Sequence, residues 1–542
     1  MSAAGAGGAH PSPPSPPPEA DALVVGGGVA GLTAAWELAR AGLRPLLVEA
    51  RGYTGGLIAG GEIGGVPMDL GAESVVLRGG AVTTMLDALG LETTAHRGRP
   101  SLFLPPMAGA GPAVTGAGVP SSGGWALHPF PREAILGIPA DPLSDDAVAL
   151  LGEAGARRAA RDGELAAGIG TSPSDPRDLA SLVRARMGEA VLDRLVRPIV
   201  AGIHANDPAV LDADVVVPGL RADVIRLGSL QAAIRARLEK RRSRPAGQRG
   251  EVCVVGGMHR FTAALRAAIE FAGGTVLTRW GARGMRPEDG PGGHGPWRVA
   301  LTPTGRGATP SDEPIAVGAP REVRARRVVL ACSAHAALRL LTGAPGLAPD
   351  TLDIAIPSGA PIARLTIVAR APGLAEAPVG SGLLVAPAPP SSAPCPVAAK
   401  ALSHLDAKWP WIAEGLRDQH GEGTAALRLS YGRPGGPRPE PALADALDDI
   451  AALTGVRIDL DDVLDHRLVR WDGTLPPAMP DYRQRTARLE EAVASLPCLS
   501  VTGAWVAGTG IAAVVAHARE RAAEMVGPPG ARNAEPGGTE ED

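Results

Sequence analysis

The chain has 542 residues, enough for two or more domains with cores of their own. A formal net charge of -4, with no basic segment interleaved with aromatics, argues against nucleic acid as a partner. The four cysteines (Cys253, Cys332, Cys395, Cys498) stand far apart without a C-x-x-C, which points to neither a metal site nor a disulfide scaffold and suits a reducing cytoplasm.

Residues 1–20 form a Pro/Ser/Ala/Gly arm with no Lys or Arg and no apolar centre. It lacks the makings of a signal peptide and is expected to be disordered. Ala22 to Val25 then reads as an apolar strand that enters Gly26-Gly27-Gly28-Val29-Ala30-Gly31, a G-x-G-x-x-G turn, and an amphipathic helix follows directly. In such a turn Gly26 permits the sharp reversal, Gly28 lets a pyrophosphate approach the backbone, and Gly31 lets helix and strand pack closely. A second apolar run, Pro45 to Val48, ends at Glu49, whose carboxylate can accept ribose hydroxyls and disfavours a 2'-phosphate. A glycine turn alone would be a weak signal. Strand, helix and acidic residue in register make it a dinucleotide site.

Further along, stretches rich in Gly, Pro, Ser or Ala (Pro105 to Gly124, Pro287 to Arg321, Ala386 to Pro396, Arg433 to Pro441) read as loops between periodic segments. Gly188 to Val200 is helix-like and Val323 to Ala334 is strand-like. This mixture predicts an α/β protein. Three pieces (21–100, 251–335 and 466–526) belong to a discontinuous nucleotide-binding domain. Residues 101–250 and 336–465 form a substrate-facing domain, and 527–542 an acidic, disordered tail. No run of roughly eighteen apolar residues is free of charges and frequent Gly or Pro, so no spanning helix is expected, while peripheral membrane contact stays open. The P-loop lysine and a G-x-S-x-G are both missing, which sets aside Walker-type kinases and serine hydrolases.

After Glu49 the chain continues Ala50-Arg51-Gly52-Tyr53-Thr54-Gly55-Gly56, and later Met68-Asp69-Leu70-Gly71-Ala72-Glu73-Ser74. These segments resemble the flavin-containing amine oxidase superfamily. The resemblance sharpens toward its oxygen-dependent porphyrinogen oxidases at LVRPIVAGIHANDP (Leu195 to Pro208), Gly256-Gly257-Met258, RVVLACSAHAA (Arg327 to Ala337), Arg470-Trp471 with Leu475-Pro476, and SVTGAWVAGTGIAAVV (Ser500 to Val515). It implies a Rossmann-like FAD-binding domain of the GR2 type with an interleaved α+β substrate domain. It further implies one non-covalent FAD contacted by Gly26, Gly27, Gly28, Val29, Ala30, Gly31, Glu49, Ala50, Leu57, Gly71, Ala72, Glu73, Ser74, Ala504, Thr509, Gly510 and Ile511. Its adenine-contacting residue falls on Trp280, Gly281 or Ala282, which the sequence does not separate. The chain departs from the family's closing motif, where Ala512 and Ala513 replace a proline and an acidic residue.

The resemblance implies oxidation of a porphyrinogen in haem biosynthesis, with O2 as acceptor and H2O2 released. The flavin carries the redox step, so no acid-base pair is assigned. Arg99, and next Arg97, are the residues expected to pair with substrate propionates, with Arg433 and Arg470 as further candidates. His204 reads as a packing residue, and Arg235 to Arg249 as a solvated basic loop. Of the 53 basic residues only Lys240, Lys400 and Lys408 are lysines, a bias typical of GC-rich bacterial coding. That bias and the lack of an apolar anchor favour the polar coproporphyrinogen III over protoporphyrinogen IX. An amine oxidase, a carotenoid desaturase and a non-catalytic flavin-fold protein are the competing readings, and direct transfer of product to ferrochelatase is left open.

Overall fold

The computed structural model describes residues 13–107, 124–244, 250–288, 296–307, 312–357, 359–388, 394–472 and 479–526. The chain divides into two compact units. The first comprises Met1–Ile58, Phe261–Ile354 and Thr486–Asp542, the second Ala59–Arg260 and Ala355–Arg485. The strand Glu251–Val254, where the sequence reading starts its second nucleotide segment, pairs with Val75–Val76 and Thr93–Ala95 inside the second unit.

The first unit is built on a parallel five-stranded sheet ordered Thr275–Thr278, Pro45–Glu49, Ala22–Val25, Val328–Leu330, Leu499–Val501. Both faces of a parallel sheet are covered, so its strands read as unbroken apolar runs. Ala22–Val25 and Val328–Leu330 are buried at every position. The helix Val29–Arg40 leaves the first strand and packs against Ile511–Val526, with Arg519 Nε donating to Glu37 Oε1 at 2.5 Å.

A second, largely antiparallel sheet joins Trp280–Pro287, Trp297–Gly305 and Arg321–Ala325. Trp297–Gly305 and Ile315–Ala316 are strands within a stretch expected to be loop. The Gly and Pro content there masks a period-two pattern that buries Trp297, Val299 and Leu301. The arm also departs from expectation. Glu19–Ala20 pair in parallel with Arg324–Ala325, and Trp280 Nε1 donates to the Pro14 carbonyl at 3.0 Å, so Pro14 to Ala20 are tied to this sheet. Residues 1–12, the tail 527–542 and Leu475-Pro476 lie outside the described residues.

The second unit carries a seven-stranded sheet ordered Val463–Asp472, Pro361–Arg370, Thr424–Tyr431, Ala401–His404, Gly382–Val385, Ser101–Leu104, Ala126–Pro129. It is antiparallel except where Gly382–Val385 meets Ser101–Leu104. Successive side chains of a strand point to opposite faces. Ala363, Leu365, Ile367, Leu427 and Leu429 therefore enter one apolar core together with helices such as Leu179–Met187 and Leu230–Arg242. Arg364, Thr366, Arg428 and Ser430 alternate with them and lie on the other face. In Gly188 to Val200 the helix widens to a π turn over Leu192–Val196, just before Pro198, whose missing N–H an ordinary helix could not absorb.

One ion pair holds the helical layer together. Arg186 and Asp162 are both fully buried, Nε donating to Oδ1 at 2.5 Å. The other Arg186 donors reach the carbonyls of Ala166, Asp162 and Gly228, and Asp162 Oδ2 accepts from the Gln231 amide at 2.8 Å. Removing one partner strands the other charge. Arg186→Met is expected to destabilise the protein by about 3–5 kcal/mol in chemical denaturation, against less than about 1 kcal/mol for Arg157→Met, whose bond to Glu153 is exposed.

Candidate functional site

The glycine turn sits at the carboxyl edge of the parallel sheet, the edge at which open α/β sheets place their ligands. Three of its glycines are required by packing, Gly27 because a Cβ there would lie 2.8 Å from the Glu49 Cβ. Gly26 has φ +112°, and a Cβ there would lie 2.5 Å from the Ala331 carbonyl oxygen, while a Cβ on Gly31 would lie 1.9 Å from the oxygen of Gly26. Gly28 differs. Its φ is -72°, and a Cβ there would meet nothing within 4 Å. The protein itself therefore does not need glycine at 28, whereas a ligand approaching the backbone would. The helix that follows has no side-chain cap, so its first amides face the same opening.

Glu49 ends the neighbouring strand, and its carboxylate accepts from the Gly27 amide and the Arg51 amide, each at 2.7 Å. Burial pushes its carboxyl above the ordinary range, opposed by those two amides. The two oxygens together offer more acceptor sites than these amides use. The Arg51-to-Gly56 segment folds back on the turn: the Gly55 amide donates to the Gly27 carbonyl at 2.8 Å, and Gly28 and Gly55 form a parallel bridge. Leu57 is half-buried beside it. Of the three adenine candidates, Trp280 is buried and tied to Pro14, and Ala282 is buried, whereas a Cβ on Gly281 would lie 3.5 Å from the Ala50 Cβ. Gly281 is the one placed beside the end of the Glu49 strand.

The closing motif lies on the same edge. A Cβ on Gly26 would be 2.9 Å from the Cys332 nitrogen, and one on Gly503 3.9 Å from the Cys332 oxygen, so three adjacent strands end side by side. Thr502 is fully buried, and its hydroxyl meets His517 Nδ1 at 2.9 Å, with His517 Nε2 2.5 Å from Glu490, a strap that fixes the strand end. Ala504 opens a short helix, and Thr509-Gly510 lead into Ile511–Val526; Gly510 has φ +107° and open space at its Cβ position. The turn and closing motif thus present a continuous backbone rim suited to an extended dinucleotide. Of the two alanines that depart from the family motif, Ala512 is buried and Ala513 exposed.

Gly71, Ala72, Glu73 and Ser74 belong to the second unit. Arg364 donates to the Gly71 carbonyl and Arg428 to the Asp69 carbonyl. The Glu73 carboxylate accepts from Trp409 Nε1 at 3.0 Å and lies 3.6 Å from Lys408 Nζ and 3.8 Å from Arg428 Nη1. Burial works to raise its carboxyl, but Lys408, Arg428, the Trp409 indole and Arg364 together bring it down to about 2. Ser74 donates to Glu251 at 2.5 Å. This ion cluster escapes a reading of the sequence because its members are scattered along the chain. The one local signal is an arginine in the middle of each of two largely apolar strands, at Arg364 and Arg428.

Arg97 and Arg99 are exposed and close together. The Arg97 amide donates to the Lys408 carbonyl at 3.0 Å, and the Arg99 carbonyl accepts from Ser381 at 3.3 Å, which fixes the backbone and leaves both guanidiniums at the surface. Arg433 is partly buried and donates to the Val385 carbonyl, and Arg470 pairs with Glu440. Burial and the Arg78 charge hold His204 down at about 4, a neutral imidazole at physiological pH. Among the described residues there is no cluster of metal-ligating side chains, and no helix is long and apolar enough to cross a membrane.

Known proteins agree with this geometry. The sequence profile of the flavin containing amine oxidoreductases matches residues 29–358. A Mycobacterium tuberculosis protein named coproporphyrinogen III oxidase is 29% identical over 516 residues, covering 91% of this chain and 95% of its own. A Bacillus subtilis protein of the same name is 28% identical over 191 residues, covering 34% and 37%. Among solved structures, a protein provisionally named protoporphyrinogen oxidase from Exiguobacterium superposes with a TM-score of 0.67 at 22% identity, covering 93% of this chain and 98% of that one. A putrescine oxidase superposes at 0.56 with 14% identity, covering 94% and 99%. With its mixed α/β fold and its uncapped glycine turn facing open space, the chain belongs to the flavin containing amine oxidoreductase family.

Proposed function

We propose that this protein oxidises coproporphyrinogen III to coproporphyrin III, with non-covalent FAD as cofactor and O2 as the electron acceptor that leaves as H2O2. The observation that carries the reading is the 91% of the chain that aligns with relatives of that name. The second unit supplies a physical reason for an acidic substrate: Arg364, Arg428, Lys400, Lys408 and Arg433 are buried or largely buried on or beside its sheet, and while Glu73 is set against Lys408 and Arg428, and Asp69 and Asp449 are buried in the same unit, Lys400 has no carboxylate partner among the described residues. A cationic amine would be repelled there, and a porphyrinogen bearing four carboxylates attracted.

In this reading the amides of Gly26 to Gly31 and the helix N-terminus hold the pyrophosphate, Glu49 the ribose hydroxyls, Gly281 faces the adenine, and Ala50, Leu57, Ala504, Thr509, Gly510 and Ile511 line the remainder. The chemistry that a bound flavin supplies is two-electron oxidation with O2 as final acceptor. The protein's part is to orient substrate and exclude water. A non-covalent cofactor fits the cysteines: Cys332, which follows the third strand of the rim, is pushed by burial up to about 12 and is a poor nucleophile. Arg99, exposed on a fixed backbone, is the proposed partner of a propionate.

Gly28→Leu is expected to leave the fold intact, with an unchanged melting temperature for the flavin-free protein, and to abolish flavin absorbance. A yellow variant at full occupancy would remove Gly28 from the site, and flavin remaining in the pellet after acid precipitation would contradict non-covalent binding. With porphyrin fluorescence as readout, coproporphyrin III should form faster than protoporphyrin IX, with peroxide released. Arg99→Ala should raise KM through loss of roughly 1.5–3 kcal/mol of charge-assisted binding. Preference for protoporphyrinogen IX would reverse the substrate assignment, and a colourless protein that no flavin reconstitutes would favour a non-catalytic role.

A further inference from the structure

Lys400 stands out among the buried cations. It is 6% exposed, and its ammonium has no hydrogen-bond or carboxylate partner among the described residues. Its backbone is held on two sides, the amide donating to the Ser430 carbonyl at 2.8 Å and the carbonyl accepting from Val385 at 2.9 Å. Ser430 is the cross-strand partner of Arg364, and Val385 is the residue whose carbonyl Arg433 reaches, so contacts to the same two residues bring the three cations near one another at the ends of these strands. Beside it, Arg364 carries an unmet donor, for its Nε is buried without a partner. Buried charges are ordinarily paired, and an unmet donor in a native fold calls for an explanation.

We infer that Lys400, with Arg364 and Arg433 beside it, forms an anionic subsite that takes a carboxylate of the substrate. The subsite rests on the function proposed above and adds to it a second anchoring point. Along Gly382–Val385, Arg99 touches the chain at Ser381 and Lys400 at Val385. Four residues of strand separate these backbone positions by roughly 13 Å, the scale of a tetrapyrrole with its side arms. The two anchors differ in kind. Arg99 is an exposed, permanent charge. Lys400 is buried, and burial, with the charges of Arg364 and Arg433, brings its ammonium down to about 7.

The sign of the coupling follows from that value. A bound carboxylate favours the protonated amine, so binding above about pH 7 requires uptake of a proton and weakens as pH rises. The other titratable groups near the cluster lie behind Arg433: Asp449, whose oxygens accept from the Ala398 and Ala399 amides, and Cys395, whose thiol burial pushes up. Glu73 acts on Arg364 and remains ionised throughout this range.

The test uses the full-length, flavin-loaded protein and the stable product coproporphyrin III, with quenching of porphyrin fluorescence as readout at roughly pH 6 and roughly pH 8.5. The tetramethyl ester, which lacks the carboxylates, is the control. The native protein should bind the acid more tightly at the lower pH, and the ester weakly at both. Lys400→Met should weaken acid binding about tenfold or more at the lower pH and flatten the pH dependence. Lys400→Arg should hold tight binding at both. A Lys400→Met protein with native melting temperature and native affinity overturns the subsite, as does a Lys400→Arg protein that keeps the native pH dependence; the second outcome decides the matter if the Met variant fails to fold. Native protein that oxidises coproporphyrinogen III while Lys400→Met binds normally leaves the proposed function standing and removes this inference alone. Native protein that neither binds the porphyrin nor oxidises its precursor removes both.

Discussion

The ion cluster around Glu73 is the constraint on which the polar face of the second unit rests. A buried guanidinium without a counter-charge costs several kcal/mol, and the strands Pro361–Arg370 and Thr424–Tyr431 place two on adjacent positions of one face. Glu73 and the carbonyls of Asp69 and Gly71 compensate them, and in doing so they fix the path of the Asp69-to-Ser74 turn. Burial and Arg428 still bring Arg364 down to about 10, with Glu73 opposing. The compensation is partial, and the remaining positive potential is available to whatever anion enters.

The first unit solves a different problem. Its rim is made of backbone, and its demands are steric: Gly26 and Gly31 are glycine because carbonyl oxygens occupy the space a side chain would need. Side-chain chemistry is confined to Glu49, whose two amide hydrogen bonds orient it before any ligand arrives. In the function proposed above, recognition of a dinucleotide by backbone and of an acidic substrate by buried cations would be separate physical devices carried by separate units of the chain.

That separation explains what could be read from the residues alone. The strand, glycine turn, helix and Glu49 are contiguous, and each glycine has a local reason, so a dinucleotide site was visible within thirty residues or so of sequence, while the flavin family needed the segments after Glu49 and the α/β class the mixed runs further along. The ion cluster brings together residues 73, 364, 400, 408, 428 and 433, of which only Glu73 lies in a family segment and only Arg433 was a substrate candidate; the pairing of distant strands and the segments at their ends gathers them. Composition misled where pattern did not: the Gly and Pro content around Trp297–Gly305 suggested loop, although alternate residues there are apolar and buried. The arm was misjudged for a related reason. Its last residues gain order from the edge of Arg321–Ala325 and from the Trp280 indole, partners some three hundred residues distant.

The state of the cysteines bears on durability. An oxidase that hands electrons to oxygen generates its own corrosive by-product, and peroxide attacks thiolates far faster than thiols. Burial raises Cys253, Cys332 and Cys395 above the ordinary thiol range, and Cys332 stands at the rim itself. Cys498 faces solvent at the far end of the closing strand, which begins at Leu499, away from the rim that follows Val501. Under the function proposed above, the sulfur chemistry is thus silent where peroxide would be released, and the thiol open to oxidation is one whose loss would leave the glycine turn untouched.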